Sequence, residues 1–158
     1  MTVGVATVAA PPAAAAPSPV SVDVVADGVE PGYTVDAATG LATATYAITA
    51  TNAGPSSLTH GVLTGDGSVD ATAATNVFTS AEGNVPISCE GGTTLKCKFL
   101  AEWKPGTVTV RVSFTFPVDD VDLLTYNAKV SGYSQTRSGN SKSSFVDVPA
   151  SETTTVQG

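Results

Sequence analysis

The chain has 158 residues, of which 14 are acidic, 7 basic and one His, for a formal net charge of −7 and a pI near 4.3. An acidic chain without clustered Lys and Arg neutralises phosphate poorly, which argues against nucleic acid and anionic membrane surfaces as partners. At 42% hydrophobic residues it is too apolar for disorder throughout, and its length suits one domain with one core.

The charge is unevenly spread. Residues 1–95 carry eight acids and no base, net −8, whereas residues 96–158 carry six acids and seven bases, net +1. Residues 2–10 are apolar and residues 13–16 are all Ala, as at the tail of a secretory leader, but no Lys or Arg precedes them. Four prolines within residues 9–19 restrict φ and remove backbone donors, which favours an extended spacer. Two readings of residues 1–19 follow: a leader remnant on a secreted protein, or an arm that docks on a neighbour by adding a strand to its sheet. No apolar stretch approaches the ~18 residues of a membrane-spanning helix.

From Val20 onward the pattern is that of strands. Val20, Val22, Val24 and Ala26 alternate with Ser21, Asp23 and Val25. Ala44, Tyr46, Ile48 and Ala50 share one face of residues 43–51, and Val108, Val110, Val112, Phe114 and Phe116 share one face of residues 107–116. A period of two of this kind marks half-buried antiparallel strands. Tyr126, Ala128 and Val130 alternate again, and Phe145, Val146 and Val148 close the series. Turn chemistry separates these runs at Asp27-Gly28, Glu30-Pro31-Gly32, Asn52-Ala53-Gly54-Pro55, Gly65-Asp66-Gly67, Gly91-Gly92 and Lys104-Pro105-Gly106. No apolar stripe has helical spacing.

The expected fold is all-β: one immunoglobulin-like antiparallel sandwich of seven to eight strands over residues 20–150, with an extended N-terminal arm and a tail at 151–158. The core is expected to be thin, with Trp103, Phe99, Phe114, Phe116 and Tyr126 at its thickest part. Two cysteines, Cys89 and Cys97, permit one disulfide without requiring it. A two-residue turn at Gly91-Gly92 would set Cys89 opposite Thr94, so a bridge needs a longer loop centred near Thr93.

Several segments resemble a known family. Tyr46-Ala47-Ile48-Thr49-Ala50-Thr51-Asn52-Ala53-Gly54-Pro55-Ser56 is similar to the Tyr-x-Ile-x-Val-x-Asn-x-Gly-Pro-Ser segment of the bacterial surface-repeat family named domain of unknown function eleven. Cys89 and Cys97 resemble that family's cysteine pair. The segment from Leu100 to Trp103-Lys104-Pro105-Gly106, Asn127-Ala128-Lys129-Val130-Ser131-Gly132 and Gly139-Asn140-Ser141 resemble three later landmarks in the right order. The resemblance implies an immunoglobulin-like, non-enzymatic module of cell walls, surface layers, stalks or virion exteriors.

Candidate sites are few. His60 has Asp66 and Asp70 near it in sequence, but no Gly-x-Ser-x-Gly elbow accompanies them, so no catalytic residue is assigned. Asp119, Asp120 and Asp122 crowd one loop and would be the ligands if calcium bound, although the twelve-residue EF-hand pattern is absent and solvated turns explain them equally. No cofactor is expected. Lys96 and Lys98 alternate with Leu95, Cys97 and Phe99, and Arg111 faces away from the apolar side of its strand. These three are assigned to one Lys-bearing sheet face that contacts an acidic partner. The leading functional expectation is a phage virion decoration or accessory capsid protein that binds other structural proteins as a homo-oligomer. The alternative is a secreted or wall-attached stalk or adhesion domain.

Overall fold

The structure, a computed structural model, describes residues 20–26, 33–67, 74–118, 125–135 and 143–153; for 134–135 and 143–153 the description is of the backbone. The proposed arm at 1–19 therefore lies outside the described residues. Among the described residues, ten strands form two antiparallel sheets packed as a sandwich. They are β1 (Val20–Ala26), β2 (Tyr33–Asp36), β3 (Leu41–Asn52), β4 (Leu58–Gly67), β5 (Thr75–Gly83), β6 (Ile87–Glu90), β7 (Leu95–Phe99), β8 (Gly106–Pro117), β9 (Thr125–Gln135) and β10 (Ser143–Thr153). The count exceeds seven to eight because β2 and β6 are four-residue pieces, too short to show an alternation. The last strand, Ser143–Thr153, crosses the expected boundary between the sandwich ending at 150 and the tail at 151–158.

The first sheet has the order β1-β3-β8-β5, and the second β10-β9-β4-β7-β6. Strand β1 pairs with residues 46–52 of β3, and β2 pairs with residues 41–44 of the same strand. The two short strands thus share one edge of β3 as an interrupted strand. The β2–β3 connection is closed by the Asp36 carbonyl, which accepts from Gly40 N at 2.9 Å, and by Asp36 Oδ1, which accepts from Ala38 N at 3.0 Å.

Alternation decides what each strand buries. Ala42, Ala44, Tyr46, Ile48 and Ala50 of β3 and Val108, Val110, Val112, Phe114 and Phe116 of β8 point inward, as do Leu95, Cys97 and Phe99 of β7 and Tyr126, Ala128 and Val130 of β9. At ~0.8 kcal/mol per buried methylene the many Ala and Val contribute little each, so the large side chains matter more. The aromatics fall into two groups rather than one. Phe99 and Trp103 meet edge to face (5.1 Å) near the Asn52 end. Toward the other end Tyr46 stacks on Tyr126 at 4.5 Å, with Phe114 and Phe116 beside them.

Gly65-Asp66-Gly67, expected as a turn, instead forms the last three residues of β4. Gly65 points inward, and a Cβ there would lie 2.6 Å from the Tyr126 hydroxyl oxygen and 2.9 Å from its ring. Here the glycine makes room for an aromatic and does not reverse the chain.

Candidate functional site

Cys89 and Cys97 form a disulfide across the β6–β7 pair, where the register sets them opposite each other and Glu90 opposite Lys96. This is the longer loop that the sequence required. Cys97 is fully buried, so the bridge lies on the inner face and ties the short edge strand β6 to the sheet.

Two buried asparagines hold opposite ends of the sandwich. At one end Asn52, 2% exposed, donates from Nδ2 to Ser56 O and Trp103 O, both at 3.0 Å, while its Oδ1 accepts from Gly54 N at 2.8 Å. Trp103 and Leu58 exchange backbone bonds, and Trp103 Nε1 donates to Asn84 Oδ1 at 2.9 Å. Asn84 in turn donates to the carbonyls of Lys104 and Pro105 at 3.1 Å. At the other end Asn76, also 2% exposed, accepts from the Tyr126 hydroxyl at 2.6 Å and donates to Gly92 O and Thr93 O at 3.2 Å. Burial pushes the Tyr126 hydroxyl pKa well above the ordinary tyrosine range, and the nearby Asp66 and Tyr46 raise it further. Tyr126 therefore stays protonated and remains a donor. The asparagines link segments distant in sequence: Asn52 joins two loops, and Asn76 joins β5, β9 and the β6–β7 turn.

The outer faces differ in chemistry. On the first sheet β3 and β8 set hydroxyls opposite one another. Thr43 meets Thr115 at 3.2 Å, Thr45 meets Ser113 at 3.5 Å, Thr49 meets Thr109 at 3.3 Å and Thr51 meets Thr107 at 3.4 Å. The row is interrupted where Ala47 faces Arg111, whose guanidinium pairs with Glu82 Oε1 at 3.1 Å. On the second sheet Lys96 and Lys98 of β7 and Lys129 of β9 are exposed, and Thr64 of β4 pairs with both Lys96 and Lys129.

The structure thus separates two of the assigned contact residues from the third. Lys96 and Lys98 share the outer face of the second sheet, whereas Arg111 lies on the outer face of the first, on the opposite side of the sandwich. Alternation shows which side of its own strand a residue occupies but not which sheet the strand joins. His60 sits within β4, at the irregularity in register between Thr59 and Val62, with a φ of 56°. The bulge puts both Thr59 and His60 on the outer side, between inward Leu58 and Gly61. His60 is exposed and meets the Tyr133 ring edge to face at 6.1 Å. Asp119, Asp120, Asp122 and Asp70 lie outside the described residues, and among the described residues no three His, Cys, Asp or Glu converge. Likewise, no described helix is long and apolar enough to cross a membrane.

No family model matches the chain, and no curated protein matches it significantly. Among solved structures it is similar to the full-length major pilin SpaD from Corynebacterium diphtheriae, at a TM-score of 0.49 and 10% identity, over 84% of this chain and 34% of the pilin. It is similar to the Actinomyces fimbrial adhesin FimA at a TM-score of 0.44 and 19% identity, over 80% of this chain and 46% of the adhesin. It is also similar to ACE19, the collagen binding subdomain of the Enterococcus faecalis surface protein ACE, at a TM-score of 0.36 and 6% identity, over 84% of this chain and 92% of the subdomain. The chain spans about a third of the pilin and less than half of the adhesin. These likenesses are of strand arrangement and carry no conclusion about a ligand.

Proposed function

We propose that the chain is a non-enzymatic structural module of the bacterial cell exterior, a stalk or adhesion domain of the surface-repeat kind. The observation that carries this reading is the Cys89–Cys97 disulfide on the inner face of an immunoglobulin-like sandwich. Structural disulfides form and persist in oxidising compartments outside the cytoplasm. The buried polar groups described above support it further. Asn52, Asn76 and Tyr126 each hydrogen-bond within the scaffold, so their chemistry is spent on holding the fold. The virion-decoration reading leaned on residues 1–19, outside the described residues, and no observation favours it.

The test is localisation with thiol state in the organism that encodes the chain. Intact cells are labelled with an antibody against the sandwich, and the protein is trapped with an alkylating reagent before extraction. Surface labelling with blocked, oxidised cysteines is expected. A cytoplasmic protein with two alkylated thiols would sink the proposal.

A further inference from the structure

We propose that the outer face of the second sheet docks the outer face of the first sheet of a second copy, so that copies stack front to back. This deepens the surface-module reading by naming the partner as the chain itself. Charge is the first argument. The second-sheet face carries exposed Lys96, Lys98 and Lys129, with Glu90 opposite Lys96. The first sheet carries exposed Asp23 on β1, Asp36 on β2 and Glu82 on β5, and the one described base on its outer face, Arg111, is paired with Glu82. Complementary faces steer encounter and set orientation, whereas two like faces repel.

The texture of the surfaces is the second argument. Between the acids of the first sheet runs the double row of Thr and Ser on β3 and β8, whose hydroxyls already bond to one another. Such a surface gives up less on losing water than unpaired hydroxyls would, because one donor of each pair keeps its partner. On the other face, Tyr133 is 42% exposed and is met by the His60 ring at the β4 bulge. An exposed aromatic of this kind anchors interfaces.

Size is the third argument. The two longest strands of the first sheet have 12 residues each. At ~3.3 Å per residue and ~4.8 Å between strands, a four-strand face measures roughly 40 by 19 Å. That is on the order of the ~800 Å² per partner of a standard interface. Because the two faces differ, the contact is heterologous and propagates into an open row instead of closing as a two-fold dimer.

The experiment is sedimentation of the full chain across concentration at low and high salt. The expected result is a mass that grows beyond the dimer and shrinks with salt. K96E/K98E is expected to associate at least about tenfold more weakly, and mixing it with Asp23→Lys should restore a complex. Circular dichroism verifies folding, and Lys98→Gln serves if the double variant does not fold. A wild type that stays monomeric, a closed dimer, or association unchanged in folded variants each overturns the proposal. A monomer found on the cell surface overturns stacking and keeps the surface reading; a stacking protein found in the cytoplasm with free thiols does the reverse.

Discussion

Asn76 and Tyr126 show how much one buried pair can decide. The Tyr126 hydroxyl donates to Asn76 Oδ1, and the Asn76 amide donates to two carbonyls of the β6–β7 turn. Asn76→Ala removes the acceptor of that hydroxyl and the amide donor to Thr93 O, while Gly92 O keeps the Asn76 backbone N–H at 2.7 Å, so a loss of about 1–3 kcal/mol is expected, read as a lower urea midpoint at unchanged slope. Tyr126 also makes a pH prediction. Its hydroxyl pKa in the fold is raised above the ordinary value of 10.0. Below pH 10 both folded and unfolded chains keep the proton, and the contribution is fully present. Above it the unfolded chain releases the proton while the fold holds it, so stability falls with rising pH by up to ~1.4 kcal/mol per unit. Tyr126→Phe should flatten this alkaline loss in denaturant titrations; an unchanged slope would refute the assignment. None of this was legible in the sequence, because the partners lie 16 to 50 residues away and an Asn in a Thr-rich strand has no distinguishing local pattern.

Strands β1, β3 and β8 were legible to within a residue or two, and β9 at its start though not at its end, because a half-buried antiparallel strand imposes a period of two on its apolar residues. Strand β5 was not. Its register shifts between Phe78 and Ser80, and most of its second half is exposed on a sheet edge, so no alternation survives. The same physics hid the geometry at His60, where a bulge breaks parity. Two predictions belong to elements. Reducing the pair by Cys89→Ala/Cys97→Ala should cost about 2.5 kcal/mol on the chain-entropy estimate for so short a loop, with β6 losing amide-exchange protection first. Gly65→Ala should cost about 1–3 kcal/mol by forcing the Tyr126 ring from its place on β4, measurable as a lower thermal midpoint. A variant as stable as the parent would show that the ring yields freely.

At the scale of the whole molecule, the uneven charge of the sequence resolves into geometry, though not the geometry alternation alone implied. Bases late in the chain populate both sheets: Lys96, Lys98 and Lys129 on one, Arg111 on the other. The landmark Asn52-Ala53-Gly54-Pro55-Ser56 and the later Trp103-Lys104-Pro105-Gly106, far apart in sequence, become one hydrogen-bonded end of the sandwich. The register also determines where the outer strands begin and finish. Val20 pairs with Asn52 at that end, while Thr153 pairs with Thr125 at the other. A pull applied through these two residues therefore runs lengthwise along β1 and β10. Rupture would have to slide a seven-residue ladder or an eleven-residue ladder all at once, where a pull across the strands would open it one rung at a time. Under tension the domain should behave as a stiff link in a tether, yielding in one abrupt step.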